Sequence, residues 1–279
     1  MGNRIPRILY HYCSVETFYN IIISKALWLT DSFSTNDYME NRWINKIINE
    51  ILPAYVNDKN RQQFENIFEQ YTTYNYIPFI SCFSEAGDIL SQWRAYANDG
   101  SGFSIGFNTD YFNIKHQLPV TMAVYNENSI GLHEVYYDSE KQERIIKALL
   151  YGVSILEHMS RGQMIEMSLK FKQYSFVFKN PAFFEEREWR IIHTPLIFGN
   201  RKDDTTQIVG AISDCKFRAT TNDIAPYFLL SFSEQKDIPP IAEIILGPKN
   251  HMEMYKIRTF LSMNNLRNIP IKFSDTSYR

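Results

Sequence analysis

No uninterrupted apolar run in the 279-residue chain approaches the roughly 18 residues needed to span a bilayer, and the amino terminus, MGNRIPRILY, lacks the apolar core of a signal peptide. Pro6 stands where a myristoylation signal, given Gly2, would have Ser or Thr. The expectation is a cytoplasmic protein with no membrane partner. Cysteine is scarce: Cys13, Cys82 and Cys215 are far apart and lack paired metal-ligand spacing, which argues against a disulfide framework or a zinc ribbon. A net charge of -2 argues against general attraction to nucleic acid or anionic lipid and leaves room only for a local patch. There is no internal repeat, low-complexity linker or heptad run. P-loop, G-x-S-x-G and H-E-x-x-H motifs are missing, and the GSGFSIGF run enters a strand without the G-x-G-x-x-G order of a dinucleotide fingerprint.

What is present is a globular composition. A hydrophobic share of 44 % against 22 % charged is enough for a substantial core, so disorder is not expected. The aromatic share, 15 %, is high; such rings fill cores and also line pockets that hold flat molecules.

Local patterns predict a mixed order of elements. ILYHY at 8–12 reads as a strand, and Ser14 can cap a helix from 15 to about 25 with Phe18, Ile21 and Ile22 inward. ALWLT at 26–30 is a second strand, followed by the polar loop DSFSTND and a helix over 38–52 that Pro53 ends. A polar helix over 57–71, a strand at 78–83, a helix over 89–97 and a strand at 103–107 come next. Strands at 120–125 and 133–137 are joined through NENSIG, and long helices are predicted over 139–157 and 164–178. Further strands are expected at 208–218, 241–246 and 269–273, with a helix over 252–261. This order predicts one α+β domain over 1–279 with a helical insertion at about 139–178.

The stretch richest in chemistry is KNPAFFEEREWRIIH, Lys179 to His193. As a strand from Glu186 onward, it places Glu186, Glu188, Arg190 and Ile192 on one face and Arg187, Trp189, Ile191 and His193 on the other. Alternate carboxylates then sit about 6–7 Å apart, close enough to need Arg190 or a cationic ligand. The bland alternative is that Asn180 caps a short helix with Pro181 first. Three other groups stand out. His11 lies between Tyr10 and Tyr12; Asn36, Asp37 and Glu40 stand at a helix start; Gln92, Trp93 and Tyr96 share one side of a helix. Each has an ordinary structural reading, as a satisfied histidine, a cap and core packing.

LYHYCSVETFYNII, ALWLTDSFSTNDYMEN, ISCFSEAGDILSQWRAYANDGSGFSIGFN, FKNPAFFEEREWRII, IAPYFLL and IAEIILGP together resemble a bacterial family known as domain of unknown function twenty-nine seventy-one. More distantly, the YHY strand followed by a helix and the late E-x-E are similar to the His…Tyr…Glu plan of ADP-ribosyltransferases. That resemblance implies a split sheet with helical insertions and NAD as a substrate. It places His11 on the ribose with Tyr10 beside it, Tyr96 or Trp93 against nicotinamide, and Glu188 as the catalytic carboxylate. It also implies that Glu186 helps activate or select a protein or nucleic-acid acceptor, and that the chain is a toxin or phage-defence effector. Arg190 would keep Glu188 ionised or bind the pyrophosphate; no metal is needed. A metal-dependent phosphodiesterase or nuclease built on Asp37, Glu40, Glu186 and Glu188, and a non-catalytic sensor or interaction module, are the other expectations. On the transferase reading, Glu188 and Arg190 are expected to face a cleft shared with His11, with Trp189 pointing into the core.

Overall fold

The computed structural model describes residues 4–32, 43–73, 77–121, 123–200, 205–220 and 223–278. Asn36, Asp37 and Glu40 lie outside the described residues.

The chain opens with β1 (Ile8–Cys13), α1 (Val15–Ser24) and β2 (Ala26–Asp31). Ser14 accepts from the Thr17 amide as the expected cap, and Lys25 ends the helix in the left-handed region at φ 47°. Then come α2 (Trp43–Ile51), α3 (Arg61–Thr73), β3 (Phe79–Ser84), α4 (Leu90–Tyr96), β4 (Phe103–Asn108), α5 (Thr109–Phe112), α6 (Asn126–Ser129) and β5 (Ile130–Glu134). The second half holds α7 (Ser139–Ser154), α8 (Arg161–Ser175), β6 (Glu188–His193), β7 (Leu196–Asn200), β8 (Thr205–Val209), β9 (Lys216–Ala219), β10 (Ile224–Ser231), β11 (Ile241–Leu246), α9 (Met254–Met263) and β12 (Ile271–Phe273).

The fold is mixed α and β around one ten-stranded sheet, ordered β12-β11-β4-β1-β3-β2-β10-β9, with β6 and then β5 extending from β3; β7 and β8 pair separately. One edge of β3 is divided between two partners. Near its end Ser84 pairs with Tyr10 of β1, and near its start Phe79 and Ile80 pair with Asp31 and Thr30 of β2. The sheet therefore forks between β1 and β2, while the other edge of β3 runs against β6 from Phe79↔His193 to Ser84↔Glu188.

Register assigns the faces, because directly opposed residues point the same way. One face carries Leu9, Phe83, Phe103, Ile105, Phe107, Trp189, Ile191 and Phe228, and α1 and α9 close it with Phe18, Ile22, Ile257 and Leu261. On the other face, Ile80 and Ile192 pack beneath α2, α3, α7 and α8, while Tyr12 and Ile245 pack beneath α4 through Trp93 and Ala97. Glu188 and Arg190 of β6 are on this same second face, buried.

Several expected boundaries differ. Among the described residues of 120–125 there is no strand, and the NENS turn is helical as α6, pinned by Ser129, whose hydroxyl donates to the Asn126 carbonyl. The expected strand over 208–218 is two strands, because Gly210 turns the chain at φ 72°, where an added Cβ would lie 2.2 Å from the Ala123 carbonyl oxygen. Strand β6 starts at Glu188, two residues later than the alternation implied; Pro181–Glu186 is a 3-10 turn capped by Asn180, whose side chain accepts from the Ala182 amide. The bland helix-cap reading of that segment and the strand reading each hold for their own half.

Candidate functional site

Local hydrogen bonds bring the two glutamates together. Gln142 of α7, fully buried, donates to the Lys179 carbonyl at 2.9 Å, and the Lys179 amide donates to Tyr136 O at 3.2 Å. The 3-10 turn follows, and Arg187 takes the left-handed conformation at φ 44°, which redirects the chain into β6. Ser84 Oγ donates to Glu186 O at 2.7 Å and so ties the turn to the end of β3. Glu186 thus leaves the strand alternation, yet its carboxylate reaches the same point as Glu188.

That point is the Lys179 ammonium, which lies 2.5 Å from Glu186 Oε2 and 3.1 Å from Glu188 Oε2. Arg190 holds Glu188 by two contacts, Nε to Oε1 at 2.7 Å and Nη2 to Oε2 at 2.9 Å, and donates from Nη1 to Phe176 O at 2.7 Å. Tyr96 Oη donates to Glu186 Oε1 at 3.0 Å; the Tyr137 hydroxyl accepts from the Glu188 amide at 3.3 Å. The side chains of Glu188 and Arg190 are 7 % and 1 % exposed, that of Glu186 12 %. Glu186 is therefore the more exposed carboxylate; the exposed ring of Tyr96 reaches it through its hydroxyl, and the exposed Phe183 ring lies 5.3 Å from the Lys179 ammonium.

The two carboxylates respond differently to this setting. Burial alone would raise Glu188, but Arg190, then Lys179, then a hydrogen bond from the Cys82 thiol outweigh it and hold the carboxyl well below its ordinary value. Glu186 is raised by burial and by the Glu188 charge, against the opposing pull of Lys179 and Tyr96. Burial also raises the Tyr96 and Tyr137 hydroxyls, so both remain protonated donors at neutral pH.

The structure brings together Glu186, Glu188, Arg190 and Tyr96, and Trp189 points into the core, 1 % exposed. His11, Trp93 and Tyr10 are engaged otherwise than expected, and Arg190 takes one of its two expected roles. His11 lies on the opposite face: Tyr10 shares the face of Ser84 and Glu188, so its neighbour must point away. His11 instead fills the fork, with Nδ1 donating to the Cys82 carbonyl at 2.9 Å, a carbonyl on the β3 edge where β1 and β2 part. Burial lowers its pKa, so the ring is neutral and Nε2 carries the lone pair. Trp93 cannot stack on a ligand, because it is fully buried, edge-on to Tyr12 and bonded through Nε1 to Asp88 at 2.6 Å. Tyr10 keeps to the correct face but donates to Glu243 at 2.8 Å on β11, its ring confined by Gly87 and Gly106. Arg190 is enclosed with its guanidinium engaged on Glu188 and Phe176 O, so it holds Glu188 ionised and does not present itself to a pyrophosphate.

Lys179, Cys82 and Tyr137 are members of the cluster without an assigned role in the sequence reading. Lys179 stood at the head of the charged stretch but outside its alternation; the other two arrive from β3 and from beyond β5. Among the described residues no group of three or more His, Cys, Asp or Glu side chains is placed to hold a metal ion. No helix among them is long and apolar enough to cross a membrane.

Residues 92–191 match the model of a family described as a protein of unknown function, DUF2971. The matched stretch is similar to DUF2971. It contains Tyr96, Tyr137, Lys179, Glu186, Glu188 and Arg190, and leaves out His11 and Cys82, so the DUF2971 match spans nearly the whole charged cluster. No curated protein and no solved structure matches the chain.

Proposed function

We propose that the chain is an NAD-using, ADP-ribosyltransferase-like enzyme whose reacting end is the Glu186–Glu188 pair. The observation that carries this reading is the placement of two carboxylates on one ammonium beneath exposed aromatic rings, at the start of a strand in a forked sheet. NAD supplies a ribose whose bond to nicotinamide breaks with positive charge developing on the sugar. A fixed anion beside that carbon stabilises the charged transition state more than the ground state.

Glu186 takes that position, because its side chain is the more exposed of the two carboxylates, while Glu188, neutralised by Arg190, anchors the Lys179 ammonium that Glu186 also meets. Tyr96 orients Glu186 through its hydroxyl. An attacking water or acceptor hydroxyl gives its proton to the Glu186 carboxylate, whose raised pKa suits it to receive one. Tyr96, Phe183 and Phe184 fit the flat ring of the leaving group. The pyrophosphate end fits less closely: Arg190 is withdrawn, and the exposed cations nearest in sequence are Arg94, two residues before Tyr96, and Arg187, next to Glu188. A toxin or phage-defence role, with a protein or nucleic-acid acceptor, accompanies this activity as a proposal drawn from the distant resemblance.

Titration calorimetry tests the assignment against the metal-dependent alternative. NAD is expected to bind, more weakly in Tyr96→Ala, while Mg2+ and Mn2+ give no heat without it. A divalent ion that binds at Glu186 and Glu188, with no heat from NAD, overturns it.

A further inference from the structure

The last described segment, 274–278, lies along the helix that carries Tyr96. Asp88, just ahead of α4, accepts four hydrogen bonds. They come from Trp93 Nε1 at 2.6 Å, Ser274 Oγ at 2.5 Å, Thr276 Oγ1 at 3.0 Å and the Asp275 amide at 2.8 Å. Beyond the other end of the helix, Asp99 accepts from Tyr278 Oη at 2.7 Å and from Lys249 Nζ at 2.8 Å, and that ammonium sits 3.9 Å from the Tyr278 ring centre. Ser274 N donates to Leu246 O at 2.8 Å, which anchors the segment to β11.

Helix α4 needs such support. It has seven residues, and Ile89 at its start gives no side-chain cap; a helix this short is unstable by itself, so its position comes from what holds it. Trp93 holds its inner side, while Asp88 and Asp99 attach it at both ends to 274–278. Tyr96 is its last residue and reaches Glu186 across 3.0 Å.

We propose that Asp88 is a positioning residue and that segment 274–278 is a clasp, together holding α4 where the Tyr96 hydroxyl meets Glu186. The clasp is a property of the fold and stands apart from whether NAD is the substrate, so its test contains no NAD.

In the full chain, hydrogen exchange at 90–97 and a carboxyl NMR titration of Glu186 are compared for wild type, Ser274→Ala/Thr276→Ala and Tyr96→Phe. Releasing the clasp is expected to speed exchange of the α4 amides about tenfold, the equivalent of 1.4 kcal/mol, with strand 188–193 still protected. The Glu186 midpoint moves upward, because the Tyr96 hydrogen bond lowers it. Tyr96→Phe moves it equally, and combining the changes adds nothing further. Asp88→Asn, of the same shape and keeping one acceptor, gives a smaller change in the same direction. Unchanged exchange in α4, exchange that rises equally in β6, a stationary Glu186 midpoint or additive shifts each overturn the clasp.

Discussion

Glu188 and Arg190, two residues apart on β6, form a two-point ion pair, Nε to Oε1 at 2.7 Å and Nη2 to Oε2 at 2.9 Å, away from solvent. Two charges taken out of water are costly, and their attraction offsets the cost only when the geometry is good and the remaining donors are satisfied. Here the third arm of the guanidinium has Phe176 O, and the carboxylate has Lys179 as well. The pair is thus fully compensated, which makes it sensitive to loss of one partner.

Arg190→Met should destabilise the fold by roughly 3–5 kcal/mol, because it leaves a buried carboxylate without its main counter-charge. Arg190→Met/Glu188→Met should recover most of that loss. Urea unfolding of the two variants checks this; equal destabilisation in both would mean that packing, and not charge, is responsible.

Acid should weaken the fold through His193. This ring is fully buried, with Nδ1 near Ser129 O at 3.2 Å and Nε2 accepting from the Ile212 amide at 3.4 Å. Burial lowers its pKa from 6.5 to about 4. Between those values the unfolded chain binds the extra proton, so the contribution is complete above 6.5 and is lost as pH falls towards 4. At 1.36 kcal/mol per unit the loss reaches about 3 kcal/mol. Denaturation midpoints between pH 7 and 4 should fall steeply in wild type and less so in His193→Gln.

Neighbouring aromatics on α4 should respond in opposite ways. Trp93→Ala removes a fully buried ring and should cost about 3–5 kcal/mol. Tyr96→Phe deletes one hydroxyl at a residue 43 % exposed and should change stability by no more than about 1 kcal/mol while impairing the reaction. Thermal melts alongside nicotinamide release separate the two effects.

The acidic limb of the activity profile should report Glu186. Its carboxyl is raised above the usual value, so activity that needs the carboxylate is lost as pH falls through a point above 4.5. Lys179 pulls that carboxyl downward, so Lys179→Met should move the limb to higher pH. A limb that stays in place removes Glu186 as the titrating base.

Much of the fold could be read from local chemistry. Ser14 as a cap, the inward Phe18 and Ile22, and the turn of charge and aromatics after Asn180 all follow from short-range rules, and each is where those rules place it. The candidate cluster was legible only in part. Glu186, Glu188, Arg190 and Tyr96 could be named, because they sit in dense, patterned stretches. The face of His11 could not, since it depends on Tyr10↔Ser84, a pairing across 74 residues that no local pattern specifies. Lys179 was hidden for a related reason: a 3-10 turn and one left-handed residue, Arg187, fold it back onto carboxylates seven and nine positions later. Trp93 misled because a tryptophan with an unassigned N–H reads equally as a wall or as core, and only Asp88 decides.

The most direct measurement of the central claim is incubation of the purified chain with NAD labelled in the adenylate half and, separately, in nicotinamide, for wild type, Glu186→Gln and Glu188→Gln. Wild type should release nicotinamide and pass the adenylate label to water or an acceptor from cell extract. Glu186→Gln should lose this by at least about a hundredfold, the scale of a positioned acid–base group, while staying folded by circular dichroism. Intact NAD with wild type in the presence of extract, or full activity in folded Glu186→Gln and Glu188→Gln, would contradict the account.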